Sequence, residues 1–187
     1  MTDTSLPSTG PADEFERFLM MWERSMHRFE VILGQVTEAA YRAVPVPGDT
    51  NYLGDRVGEI MIDTLVRHLV VAERHWFRFV LDCEEGAAIP KPEGIVARAE
   101  LKHDEAGAFY RQEVGAAFAE LKRIDRRQLE KRVSWDGSVY TVMGFLRTIL
   151  SHHTYHLGQI DLLMRQQGIY PHDILSQTAL GPVELIG

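Results

Sequence analysis

Apolar side chains spaced three and four residues apart along most of the chain constrain its fold more than any other feature. From Asp13, the series Phe15, Phe18, Leu19, Trp22, Met26, Phe29, Leu33, Val36 and Ala40 advances by the step of an α-helix. It predicts one amphipathic helix to about Val44, where Pro45 and Pro47 stop it. A second helix is predicted over about Val57 to Leu81, with Ile62, Leu65, Leu69, Ala72, Trp76 and Phe79 as its buried stripe and Arg67, Arg74 and Arg78 on the wet face. A third, about Arg98 to Ile124, turns Phe109, Val114, Ala117, Phe118, Leu121 and Ile124 inward. The last, about Val139 to Gln167, buries Val142, Phe145, Leu146, Ile149, Leu150, Leu157, Ile160, Leu163 and Met164, and Gly168 suits its C-cap.

The connections carry turn chemistry. Pro45–Asp55 has no period, and Cys83–Ala97 is long enough to run the length of a bundle. Asp125–Gly137 holds one short extended piece, Lys131–Trp135, closed by the turn dipeptide Asp136-Gly137. Four stripes that each need burial imply an all-α protein with a single four-helix bundle over residues 13–167. It is flanked by a loose tail, 1–12, and an irregular one, 168–187.

A net charge of −7 argues against a nucleic-acid groove or an anionic membrane surface as partner. The densest basic run, Arg123, Arg126, Arg127, Lys131 and Arg132, reads as a solvated helix end. No apolar stretch approaches the roughly 18 residues of a membrane span, and the polar start lacks a signal peptide's pattern, so a cytoplasmic protein is expected. Cys83 is the only cysteine, which excludes an intramolecular disulfide and a cysteine-based zinc knuckle. Glu84 and Glu85 beside it oppose thiolate formation, and the residue reads as structural.

Chemistry concentrates in Ser151-His152-His153-Thr154-Tyr155-His156-Leu157-Gly158-Gln159. His152 and His156 stand one turn apart toward the apolar face, where two imidazoles can converge on one ion. His153 also points inward, so spacing permits a His153–His156 pair as well. Bundle metal sites draw ligands from facing helices, and His68, beside the small Ala72, is the best placed third ligand. His27 and His103 read as surface residues, while Glu73 projects toward the apolar side and needs either a partner or a route to solvent. A di-iron bundle would need Glu-x-x-His on two helices, and the chain has it only at Glu100–His103.

His68 followed five residues later by Glu73 and then Trp76 resembles the second-helix signature of the DinB/YfiT-like family. The late His-x-x-x-His-x-Gly-Gln (His152, His156, Gly158, Gln159) resembles that family's fourth-helix signature. The likeness spans about residues 13–167. It implies a bundle in up-down-down-up order, a divalent metal (zinc or nickel) on His68, His152 and His156 with His153 as a neighbour, and a homodimer. It also implies a metal-dependent transferase that activates a low-molecular-weight thiol, such as mycothiol or bacillithiol, for attack on an electrophile. A metal-dependent hydrolase and a non-enzymatic metal-binding stress-response bundle are the alternatives. Three histidines leave a position open on the ion, and such an ion lowers the pKa of bound water to about 7 or deprotonates a thiol. Candidates for an acid or base are Glu73, Tyr155, Asp161 or water, and Ser151 has no evident Asp partner to build a triad.

Overall fold

The structure is a computed structural model that describes residues 11–45, 48, 51–53, 57–92 and 101–171. Four long helices build it: α1 (Pro11–Leu33), α3 (Ile62–Asp82), α4 (Ala106–Leu121) and α5 (Val142–Gln166). Shorter elements join them: a helix α2 (Glu38–Tyr41), 3-10 turns at His103–Glu105 and Arg126–Glu130, and three strands, β1 (Ala87–Ala88), β2 (Arg132–Trp135) and β3 (Ser138–Thr141). None of the described helices is long and apolar enough to cross a membrane.

Helix directions follow from the pairs between them. Glu16, Glu23 and Glu30 of α1 meet Arg126, Lys122 and Arg111, in falling order, so α1 and α4 run antiparallel. Glu73, Arg74 and Phe77 of α3 meet Tyr110, Glu113 and Phe118 in rising order, so α3 and α4 run parallel. His68 and Trp76 of α3 meet His156 and Phe145 of α5, an antiparallel pair. Glu14 and Trp22 of α1 meet Arg147 and His153 of α5, a parallel one. The long helices therefore run up, down, down, up. Because α3 and α4 run parallel, the end of one and the start of the other lie at opposite ends of the bundle, which the length of the connection in the sequence allows.

The apolar stripes close one core. Phe15, Trp22, Phe29, Leu65, Leu69, Phe77, Val114, Leu121, Leu146 and Ile149 are fully enclosed or nearly so. Trp22 of α1 meets Phe77 of α3 edge-on at 4.7 Å across the bundle's diagonal. Such burial, at roughly 25 cal/mol per Å² of apolar surface, is the main force that holds the helices together.

The structure corrects four boundaries. The first predicted helix breaks at Gly34, and Thr37 caps a new turn by accepting from the Ala40 amide at 3.3 Å. Val36 and Ala40 keep the helical spacing because the new turn still faces the core. The second helix starts at Ile62 rather than Val57, since Gly58 adopts φ 69° and Tyr52 bridges Glu59 in an antiparallel pair. The third begins at Ala106, after a 3-10 turn at His103–Glu105, and ends at Leu121. Its predicted first turn, Arg98 to Glu100, lies outside the described residues.

The fourth correction is the largest. Val139–Thr141 belongs to β3, which pairs antiparallel with β2, while β1 adds to β2 in parallel. Asp136 and Gly137 both take positive φ, 49° and 79°, as a two-residue hairpin turn of twisted strands requires. The β-branched and aromatic side chains of Ser138–Thr141 then extend along β2, and α5 starts only at Val142. Thr141 caps it by accepting from the Gly144 amide at 3.0 Å. At the other end Gly168 takes φ 75°, and the amides of Gly168 and Ile169 donate to the carbonyls of Arg165 and Met164. The expected C-cap is therefore present.

Candidate metal centre

α3 and α5 face each other where the former carries His68 and the latter His152 and His156. Nε2 of His152 lies 3.1 Å from Nε2 of His68 and 3.1 Å from Nε2 of His156. The three ligating atoms all fall within 4.8 Å of one another. His68 and His156 are buried, at 6% and 3% exposure, and His152 is half-buried. Trp76 packs against His152 in a T-shaped pair, with ring centroids 4.9 Å apart, and covers that side of the cluster.

Orientation comes from a further contact. His156 donates from Nδ1 to Oε1 of Gln159 at 2.6 Å, while Gln159 Nε2 donates to the Tyr155 hydroxyl at 3.2 Å. The proton on Nδ1 leaves the His156 Nε2 lone pair aimed at the cluster. Burial lowers the His156 pKa, with a smaller push from His153 and an opposing pull from the Gln159 bond, and this favours the neutral, ligating form. A tetrahedral ion held at about 2.0–2.1 Å by each imidazole would set its nitrogens roughly 3.3 Å apart. The spacing, the donor set and the fixed tautomer of His156 fit a divalent cation.

His153 takes no part in this cluster. One residue on from His152 it is rotated by about 100° around α5. It points into the core, where its Nδ1 lies 3.0 Å from Oε1 of Glu73. The His153–His156 pairing that spacing permitted is thus not formed. Glu73 has no route to solvent, being 0% exposed, and its second oxygen accepts from the Tyr110 hydroxyl at 2.5 Å. Tyr110 has its pKa raised well above the usual value by burial and then by Glu73.

Of the residues weighed for acid–base work, Tyr155 alone flanks the cluster and reaches solvent: it is 59% exposed and its ring centroid lies 5.0 Å from that of His156. Asp161 is paired with Arg165 at 2.8 Å, further along α5. Ser151 donates to the Arg147 carbonyl. Cys83 sits fifteen residues from His68, roughly 22 Å along the axis of α3. Its thiol accepts from Gln128 at 3.3 Å, and burial pushes its pKa up, which agrees with a structural residue. His27 is exposed, and His103 contacts Glu38 at 2.7 Å near the surface. Arg67 departs from expectation: it is buried and bound to Asp63 at 2.6 Å instead of lying on a wet face.

Sequence reasoning missed the orienting role of Gln159, although the His-x-Gly-Gln pattern contains it. The signal was its position three residues after His156, within reach on the same face.

Two solved structures share the architecture. YfiT from Bacillus subtilis, described as a probable metal-dependent hydrolase with an unusual four-helix bundle topology, matches at a TM-score of 0.63 and 18% identity over 89% of this chain and 94% of its own. YjoA, a DinB-like protein from Bacillus subtilis, matches at a TM-score of 0.58 and 14% identity, covering 81% of this chain and 92% of its own. At such identities the likeness is one of fold. None of the curated proteins searched matches the chain. The family model of mycothiol-S-transferase matches residues 18–167, most of the bundle with all three histidines inside it, and the chain belongs to that family.

Proposed function

We propose that this protein holds one divalent metal ion on His68, His152 and His156 and transfers a low-molecular-weight thiol, mycothiol before others, to an electrophile. The observation that carries the reading is the convergence of three imidazoles on one flank of the bundle, with His152 Nε2 3.1 Å from Nε2 of both His68 and His156 and all three ligating atoms within 4.8 Å of one another. Membership of the mycothiol-S-transferase family supports the choice of thiol. A divalent ion there supplies Lewis acidity, which lowers the pKa of a thiol or water that it carries.

The chain's own groups do the rest. Gln159 holds His156 in the ligating tautomer, and Trp76 keeps water from one side of His152. Tyr155, at the exposed edge, offers a hydroxyl to the incoming thiol or to the departing group. The reaction forms a carbon–sulfur bond at the electrophile, the leaving group departs with its electron pair, and the thiol proton passes to solvent. Cys83 is no rival nucleophile, since it is buried and held by Gln128.

The test loads the protein with cobalt(II), titrates it with mycothiol, bacillithiol and glutathione, and assays conjugation to a model electrophile alongside Cys83→Ser. The expected result is a change in cobalt absorption with mycothiol and conjugation that Cys83→Ser retains. Unchanged spectra with all three thiols, together with hydrolysis of an ester or amide, would overturn the transferase reading in favour of a hydrolase.

A further inference from the structure

Beside the histidine cluster, and separate from it, the core encloses a second polar group. Glu73 of α3, Tyr110 of α4 and His153 of α5 are each 0% exposed. Tyr110 donates to Glu73 Oε2 at 2.5 Å, and His153 Nδ1 lies 3.0 Å from Glu73 Oε1 and 3.2 Å from the Tyr110 oxygen. Trp22 and Phe29 of α1 pack on the His153 ring, with centroids 5.1 and 5.4 Å away. All four long helices meet at this point.

Stability does not account for the cluster. A carboxyl group is expensive to strip of water, and apolar residues of similar volume fill such a site as well or better. What the bonds do control is register. Glu73 follows His68 by five residues on α3, and His153 is the immediate neighbour of His152 on α5. A slip of α5 by one residue shifts it about 1.5 Å and turns it about 100°. That slip would break the Glu73–His153 bond and swing His152 and His156 away from His68. Apolar packing tolerates small sliding, because it is non-directional. A hydrogen bond at 3.0 Å between buried groups does not.

We propose that Glu73, His153 and Tyr110 are positioning residues that lock the axial and rotational register of α5 against α3 and so preset the three ligating nitrogens. The proposal rests on the reading that those nitrogens hold a metal ion. It assigns the core group a role toward the ion without contact with it.

The test separates metal affinity from stability. Cobalt(II) chloride is titrated, against a chelator, into the wild-type protein and into Glu73→Leu, Glu73→Gln and Phe77→Leu. Helicity and thermal midpoint are measured in parallel. Phe77→Leu opens a cavity in the same core on the same helix without touching the cluster's hydrogen bonds. It should lower the midpoint and leave cobalt affinity within a few-fold. Glu73→Leu should stay helical yet weaken cobalt binding by about tenfold, the lower end of what losing a group bonded to a ligand costs, since Glu73 acts through His153 and touches no ligand, and alter the visible cobalt spectrum. Glu73→Gln, which can still bond both partners, should restore most of the affinity. If Glu73→Leu does not fold, Tyr110→Phe carries the test, with an expected weakening of about two- to ten-fold, the worth of one hydrogen bond.

Wild-type affinity and spectrum in Glu73→Leu, or an equal loss in Phe77→Leu, would overturn the register proposal alone. A wild-type protein that takes up no stoichiometric cobalt, or a His156→Ala variant that keeps it, would overturn the metal assignment and the register proposal with it.

Discussion

His156 has a separate task for each ring nitrogen: Nδ1 is tied to Gln159, and Nε2 faces the other two imidazoles. This division predicts different outcomes for ligands and their supports. His152→Ala and His156→Ala should each lose stoichiometric metal by elemental analysis, because two histidines no longer enclose the ion. Gln159→Leu should keep one ion per chain at saturation but weaken its affinity by about 10- to 100-fold in chelator competition. An unchanged affinity there would show that the bond at 2.6 Å does not set the tautomer.

α5 is the element that the site depends on, since it carries two of the three histidines and must start in the right place. Thr141 ends β3 and caps α5 in one residue, so the hairpin and the helix share a boundary. Removing the cap in Thr141→Ala should cost about 1 kcal/mol, seen as a lower urea midpoint with an unchanged slope. The site itself should survive this change, because His152 lies three turns further on. Metal stoichiometry at saturation should therefore equal that of the wild type.

Across the whole molecule, the proposed ion and the buried tyrosines set how stability responds to conditions. An ion that binds only the folded chain stabilises it by about 4 kcal/mol at a free concentration roughly a thousand times Kd. Chelation should then lower the thermal midpoint by about 8–16 °C for a chain of this size. Tyr110, and Tyr41 likewise, have pKa values raised above that of an unfolded tyrosine, mainly by burial. Above about pH 10 the unfolded chain releases a proton that the native Tyr110 keeps, so the native state holds more protons and stability falls as pH rises. The slope from Tyr110 approaches about 1.4 kcal/mol per pH unit well above pH 10 and averages about half of that between pH 9 and 11, where urea unfolding should show it flattened in Tyr110→Phe.

The sequence by itself determined the four stripes, and with them the bundle, because the helical period is a local property that burial of one face then exploits. It also determined that His152 and His156 share a face, since i and i+4 lie together in any α-helix. Helix ends were less legible. The break at Gly34 is met by a cap from Thr37, the late start of α3 follows Gly58 at positive φ, and Val139–Thr141 left the helix because β2 was there to pair with it. Only the tertiary structure decided between His153 and His152. Both point inward on a helical wheel, yet His153 meets Glu73 and Tyr110 while His152 meets His68, and which face of α5 opposes which residue of α3 is set by how the helices are rotated against one another. The fate of Glu73 was settled in the same way, because a carboxyl group on an apolar face can be committed to a partner only by residues far away in the chain, here 37 and 80 positions on.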